Sequence, residues 1–326
     1  MKKKILMFLK EQQGFVSGQD ICDQLGISRT AVWKYINRLK EEGYEIESVT
    51  RKGYRLLQSP DIVSEEELRQ YLPEGTLMGD LFYYDSIDST NEEAKRKAAQ
   101  GVPDESLCFA DNQTAGKGRR GRTWISPKGE DIFFSLLLRP ELPAENASMV
   151  TLVAALAAAA VSEKYSKEVC QIKWPNDIVL HDKKICGILT EMGLEMGEIS
   201  YIVVGVGFNL NRKEFSEEIS PMATSIFRET GEKVPRARFL ADFLVEFMKR
   251  YRIFLKEQNL SSFVEEYESH LVNIGRKVKL IKNGREEIRT ALGINDKGEL
   301  LVQKDNGEVE TVFTGEVSVR GLYGYV

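Results

Sequence analysis

Apolar residues recur at helical spacing through the first forty residues and then begin to alternate. Residues 3–10 place Ile5, Leu6 and Leu9 on one side of a short helix that Gly14 ends. A second helix is predicted over Gly18–Leu25, burying Ile21 and Leu25. Gly26-Ile27-Ser28 then supplies a turn glycine, an apolar plug and a serine able to cap a third helix. That helix runs to about residue 42 and stops at Gly43; Val32, Ile36 and Leu39 stand at i, i+4 and i+7 and face the core. Its other face presents Arg29, Thr30, Trp33, Lys34, Asn37 and Arg38, groups suited to phosphates and base edges, with Trp33 expected to add packing. Residues 44–48 and 54–57 alternate like two strands around the basic tip Thr50-Arg51-Lys52-Gly53. The sum is a winged helix-turn-helix with Ser28 at the head of its recognition helix. The competing expectation is a three-helix bundle whose polar face meets only solvent or protein.

Ser59-Pro60-Asp61 reads as a linker, and Ser64 followed by Glu67 makes a capping-box pattern. A strand over residues 83–88 runs into Ser89-Thr90-Asn91 and a charged helix over 92–99. Taken alone, those three residues are helix caps; the alternative is that they touch a ligand beside free backbone donors. Further strands are predicted at 107–110 and 132–138, then an alanine-rich helix at 150–165. Residues 172–180 form a strand broken by a polar turn, 184–191 its partner, and 201–209 a buried strand whose glycines imply a ligand or neighbour lying close. After a helical stretch at 239–270 come short strands separated by Asn283-Gly284, Asp296-Lys297-Gly298 and Asp305-Asn306-Gly307, the pattern of a small β-barrel.

A length of 326 residues implies more than one domain, and 42% hydrophobic with 29% charged residues excludes a disordered or collagen-like chain. The apolar start breaks at Lys10, short of the roughly 7–15 residues of a signal peptide. The apolar run at 150–161 is shorter than the roughly 18 residues of a membrane span. A soluble, cytoplasmic protein without a membrane partner is expected. Cys22, Cys108, Cys170 and Cys186 are scattered and His181 and His270 lie far apart, so zinc sites and histidine catalysis are disfavoured and the thiols read as buried packing.

Charge sharpens this picture. Residues 1–62 carry 11 Lys/Arg against 8 Asp/Glu, while the remainder carries 34 against 42, so only the first segment is suited to a polyanion. Between residues 113 and 128, Lys117, Arg119, Arg120, Arg122 and Lys128 occur without a carboxylate. Gly116, Gly118 and Gly121 spell G-x-G-x-x-G, and G-x-x-x-x-G-R-T lies one letter from a P-loop. Both motifs need a helix directly afterwards, which Pro127 and Gly129 forbid. What is left is a flexible cationic loop expected to order around an anion. Lys173, Asp177 and Lys184, each by itself, read as surface charges of a hairpin.

Together, the helix-turn-helix, Asp88-Ser89-Thr90-Asn91, Gln113 with residues 116–122, Lys173-Trp174-Pro175-Asn176-Asp177, Lys184 with Gly187-Ile188-Leu189, and Gly205-Val206-Gly207-Phe208-Asn209 follow an order that resembles bacterial biotin protein ligases, of the type that also represses the biotin operon. The resemblance spans essentially the whole chain, and Lys117 stands where that loop commonly has arginine. It implies an α+β multidomain protein. Residues 1–62 would be a winged helix-turn-helix, 63–272 a mixed α/β catalytic domain of class II synthetase type, and 273–326 an SH3-like small β-barrel. It further implies biotin and ATP as substrates with Mg²⁺, formation of biotinyl-5′-AMP, and transfer to a lysine of biotin carboxyl carrier protein. Operator DNA and a ligand-promoted homodimer complete the implied partners.

By the same resemblance Ser89, Thr90, Asn91, Gln113, Lys117, Gly118, Arg119 and Lys184 line the biotin and adenylate site, Lys184 bridging the carboxylate and the α-phosphate. Arg122, Trp124, Lys173, Asp177, Gly187, Asn209 and Arg320 form a second rank, with Asp177 a candidate for magnesium. Rival readings are a ligand-sensing repressor without ligase activity, a lipoate ligase-like acyl-adenylating enzyme, and a ligase whose helix-turn-helix binds no operator.

Overall fold

The computed structural model describes residues 1–12, 14–282, 285–313, 318–321 and 325–326. They fall into two compact units, 1–62 and 63–326.

In the first unit the helices α1 (Lys2–Glu11), α2 (Gly18–Leu25) and α3 (Arg29–Glu41) enclose a core of Ile5, Leu6, Leu9, Ile21, Val32, Ile36 and Leu39. Ser17 and Asp20 close a reciprocal capping box on α2, and Gly26 ends it in the left-handed conformation that a side chain resists. Ser28 accepts from the amide of Ala31 and starts α3. Strands β1 (Glu45–Val49) and β2 (Gly53–Gln58) pair antiparallel as the wing. A bridge between Val16 and Tyr54 fastens the wing to the segment ahead of α2. There a Cβ on Gly53 would stand 1.9 Å from the carbonyl oxygen of Val16.

The second unit is built on a seven-stranded sheet. Its strands are β3 (Leu81–Tyr84), β4 (Ser106–Ala110), β5 (Ile132–Leu138), β6 (Gln171–Lys173), β7 (Asp177–Leu180), β8 (Lys183–Glu195) and β9 (Glu198–Phe208), in the order β3-β4-β5-β9-β8-β7-β6. Only the β3–β4 pair is parallel. Alternation sorts the two faces. Phe134, Leu136, Val204 and Phe208 join the main core with the helices α6 (Met149–Ser166) and α8 (Arg236–Glu257). Cys108, Leu137 and Val203 pack with Ala94 and Ala98 of α5 (Thr90–Ala99) on the opposite face. By length and composition the stretch Ala144–Ser166 would be able to cross a membrane, but it is the central core helix here, its alanines seated against the sheet and α8.

Ser64 accepts from the amide of Glu67 and starts α4 (Glu65–Tyr71). The segment after the sheet carries α7 (Ile226–Thr230) and, beyond α8, α9 (Val264–His270). The small β module then appears as an antiparallel sheet of β10 (Lys277–Lys282), β11 (Arg285–Ile294), β12 (Leu300–Gln303), β13 (Val309–Val312) and β14 (Ser318–Gly321), in the order β13-β12-β11-β10-β14. Val278, Leu280, Ala291, Leu300 and Val302 enter the same core as the seven-stranded sheet, so residues 273–326 do not stand apart from 63–272 as a separate compact unit.

A candidate acyl-adenylate site

On its α5 side the seven-stranded sheet is bare where β8 and β9 run side by side. Gly187 faces Gly207 in register, and Gly205 faces Leu189 two residues along. Trp124 lies against the backbone at one end of this floor; a Cβ on Gly207 would be 2.6 Å from its ring, and one on Gly187 2.8 Å. At the other end a Cβ on Gly205 would collide with the Asn91 side chain. The floor is glycine because two side chains already occupy the space above it.

Over this floor opens a cavity with about 430 Å³ of empty space, open solvent at its mouth included. Ser89, Thr90, Asn91 and Gln113 line it with neutral polar groups, and Lys117, Gly118, Arg119 and Lys184 line it with three cations and a glycine. Trp124 and Gly187 complete it, together with Asn176 and Ile188. Among the described residues, segments 89–91, 113–119 and 184–189 therefore meet at one place although they are separated by up to 100 positions in sequence.

The neutral end is fixed by reciprocal hydrogen bonds. Ser89 begins α5 but its side chain caps nothing, so the capping role expected of it is not realised and it is buried in the cavity wall. The carboxamide oxygen of Gln113 accepts from the amide of Thr90 at 2.9 Å and from its hydroxyl at 3.1 Å. That arrangement satisfies a helix-terminal N–H from outside the helix. Gln113 Nε2 donates to Ser126 Oγ at 2.9 Å. Asn91 Nδ2 donates to Glu191 at 2.8 Å, and Ser135 Oγ lies 2.6 Å from Asn91 Oδ1.

The cationic end is less self-repelling than its sequence implies. Residues 116–124 close on themselves as a small hairpin: the amide of Gly118 donates to the carbonyl of Arg122 at 2.7 Å and that of Trp124 to Gly116 at 2.9 Å. The loop expected to be shapeless without an anion is thus ordered by its own backbone, and the Gly118 amide already has a partner. Carboxylates arrive from elsewhere, Glu92 of α5 to Lys117 at 2.5 Å and Asp85 to Lys128 at 2.6 Å. Hydrogen bonds from Lys117, and then Lys95, lower the pKa of Glu92 below its ordinary value. Arg119 donates to Asn176 Oδ1 at 2.7 Å. Burial lowers the pKa of its guanidinium, with Asp177 opposing.

Lys184, at the start of β8, is not a free surface charge. Its Nζ lies 2.6 Å from Asp177 Oδ1 and 5.1 Å from the centroid of Trp124. Burial alone would raise the Asp177 pKa; the Lys184 ammonium, with a hydrogen bond from Tyr325, holds it below the usual carboxylate range. Its backbone is clamped as well, Lys184 N donating to Met222 O and Thr224 N to Lys184 O. Asn209 Nδ2 reaches Thr224 O at 3.1 Å and Lys184 O at 3.4 Å, so Asn209 stands behind the wall as a brace.

Among the other second-rank residues, Arg122 is exposed and outside the lining, and Lys173 is buried and donates to the carbonyl of Tyr325. The Arg320 side chain lies outside the described residues, although its backbone belongs to β14. Both oxygens of Asp177 are engaged, one by Lys184 and one by the Tyr325 hydroxyl. No group of three or more His, Cys, Asp or Glu able to hold a metal ion occurs among the described residues. The residues present do not fit a protein-held magnesium at Asp177. The sequence assigns no role to Asn176 and reads the glycines at 205 and 207 only as marking a close ligand or neighbour; Asn91 and Trp124 lie against them.

The cysteines Cys108, Cys170 and Cys186 are buried and free, and burial pushes the thiols of Cys108 and Cys170 up to about 12, which suits packing rather than chemistry. In the first unit Ser28, Arg29, Thr30, Lys34 and Arg38 are exposed on α3 and Asn37 is half-buried. Trp33, expected to pack, is instead 60% exposed on that polar face. Arg29 is oriented by Gln19 of α2 at 3.0 Å.

Comparison with known proteins places these features in context. Residues 2–55 match a model of an HTH domain, 83–209 the biotin/lipoate A/B protein ligase family, and 274–320 the biotin protein ligase C-terminal domain. The chain is 38% identical, over 98% of both sequences, to the bifunctional ligase/repressor BirA of Bacillus subtilis (strain 168). It is 30% identical to the protein of that name from Escherichia coli (strain K12), over 94% of this chain and 93% of that one. The structure of a biotin protein ligase from Aquifex aeolicus in complex with biotin and ATP aligns with a TM-score of 0.66 and 31% identity, covering 74% of this chain and 99% of that one.

Proposed function

Because the chain belongs to the biotin protein ligase family, we propose that it is a bifunctional protein: an ATP-dependent, AMP-forming ligase that biotinylates a carrier protein, and a repressor of biotin genes. The observation that carries the first half is the two-ended cavity. Its neutral end, at Asn91 and Gly205, and its cationic end, at Lys184 and Gly207, are set about 7 Å apart by two residues of extended strand. Biotin has the same polarity, with an uncharged polar ring at one end and a carboxylate at the other.

The chemistry needs no enzyme nucleophile. A biotin carboxylate oxygen attacks the α-phosphorus of ATP, the bond to the bridging oxygen breaks, and pyrophosphate leaves. The amine of an acceptor lysine on biotin carboxyl carrier protein then attacks the acyl carbon of biotinyl-5′-AMP, and AMP leaves. Two anions must meet in the first step, so fixed cations are the main resource. Lys184 is assigned to the carboxylate and α-phosphate oxygens, and Lys117 and Arg119 to the phosphate side. Ser89, Thr90, Asn91 and Gln113 hold biotin. Mg²⁺ is assigned to the nucleotide phosphates rather than to Asp177.

For the second half, the exposed face of α3 with the basic wing tip at Arg51 and Lys52 suits an operator half-site. Occupancy of the cavity is assigned the role of promoting a two-fold dimer that presents two such helices, in a protein working in the cytoplasm. Identical sedimentation with and without biotinyl-AMP would remove that coupling.

The deciding assay incubates the protein with labelled biotin and Mg-ATP, with and without a biotin carboxyl carrier domain. Biotin-dependent pyrophosphate release followed by label on the carrier is expected. Release with lipoate and none with biotin would reassign the acid.

A further inference from the structure

Tyr325 contacts the carboxylate that holds Lys184 at the cationic end of the cavity. Tyr325 donates its hydroxyl to Asp177 Oδ2, while Asp177 Oδ1 accepts from Lys184 at 2.6 Å and from Asn176 Nδ2 at 3.1 Å. The backbone carbonyl of Tyr325 accepts from Lys173 Nζ, and that ammonium lies 3.5 Å from the centroid of the Tyr325 ring. Lys173 and Asp177 are themselves register partners across the β6–β7 hairpin. Two charged residues of the hairpin thus hold Tyr325 from both sides, one at its carbonyl and ring and one at its hydroxyl.

We propose that Tyr325 is a positioning residue for the adenylation step, acting through Asp177 on Lys184. The inference rests on the ligase reading above. An aspartate turns about two side-chain bonds, so a carboxylate held only through Oδ1, by Lys184 and Asn176, would be able to swing about that oxygen. Pinning Oδ2 fixes the direction of Oδ1 and hence the place of the ammonium over the glycine floor. The tyrosine hydroxyl also takes up part of the carboxylate charge, which leaves the fixed Lys184 ammonium with charge and donors for incoming carboxylate and phosphate oxygens. Such an effect falls on the reacting geometry and little on biotin binding.

The test compares wild-type protein with Tyr325→Phe, which keeps the ring over Lys173 and removes only the hydroxyl. Biotin-dependent pyrophosphate release should fall about 10-fold in kcat, with KM for biotin within about 2-fold. On an Asp177→Asn background the same change should cost nothing further, because the path to Lys184 is already cut. Thermal denaturation of all variants excludes loss of fold as the cause. An unchanged kcat in Tyr325→Phe overturns the proposal, as does an equal loss in both backgrounds. Faster turnover with a lower KM for ATP would make Tyr325 a displaceable plug and also overturns it. Wild-type protein that releases pyrophosphate with neither biotin nor lipoate would instead fail the ligase reading, and this inference with it.

Discussion

A Cβ placed on Gly205 would stand 1.8 Å from Oδ1 of Asn91, a separation that no side-chain packing permits. Asn91 cannot retreat, because its amide is held by Glu191 and the Leu189 carbonyl and its oxygen by Ser135. Gly205→Ala should therefore destabilise the protein by about 1–3 kcal/mol and displace Asn91 from the cavity wall. Calorimetric titration should find biotin bound at least about 10-fold more weakly. Wild-type affinity in this variant would separate Asn91 from biotin recognition.

Lys184→Ala removes a cation held 2.6 Å from Asp177 at the assigned reaction centre. The rate of adenylate formation should drop about 10²–10³-fold, the scale of losing one preorganised charge stabiliser. Operator affinity of the unliganded protein should stay within about 2-fold, since the first unit has its own core. Single-turnover pyrophosphate release and gel-shift titration read the two arms separately.

Lys34 sits exposed on the polar face of α3 between Arg29 and Arg38. If it meets a phosphate, Lys34→Ala should weaken all DNA sequences alike and reduce the slope of log K against log salt by about 1. Ligase activity should not change. A loss confined to operator sequence would assign Lys34 to a base edge instead.

His181 lies between two carboxylates, 2.7 Å from Glu229 and 2.5 Å from Glu168. The hydrogen bond that His181 donates to Glu229 is the main reason its pKa is raised above 6.5; burial opposes it and Glu168 adds to it. A raised folded value means the stabilisation is complete below pH 6.5 and is lost as pH rises through the folded pKa. Burial would raise Glu229, but His181 and Thr224 bring it below 4.5, so its contribution is present above that pH and lost on acidification. Melting temperature against pH should show a plateau between these limits with a fall on the alkaline side. His181→Gln should flatten that alkaline fall.

Local chemistry explains which parts of this protein were legible in its sequence. Gly26, Ser28 and Gly43 punctuate the helix-turn-helix because caps and turns are decided by one or two residues. The absence of a helix after Gly121 could be read from Pro127 and Gly129 for the same reason. Partners supplied from a distance could not be read. Glu92 neutralises Lys117 from 25 positions away, and Gln113 takes the Thr90 amide from 23. These bonds exist only once β4 and α5 are packed. Lys173 and Asp177 look like hairpin surface charges because nothing nearby in sequence announces Tyr325, 148 residues beyond Asp177. Trp33 misled in the other direction, since an aromatic among polar residues gives no sign of which face it takes.

The turn between β6 and β7, which delivers Asn176 to the cavity and Asp177 to Lys184, is fastened to the C-terminal sheet. Trp174 donates its indole N–H to the carbonyl of Gly298 at 3.0 Å, and Leu152 and Leu260 crowd Gly298 so closely that a Cβ there would stand 2.7 Å from Leu152. Among the described residues, the C-terminal sheet therefore shares its core with the sheet that carries the cavity. A truncation at residue 272 would keep the whole cavity lining and lose the scaffold of its hairpin.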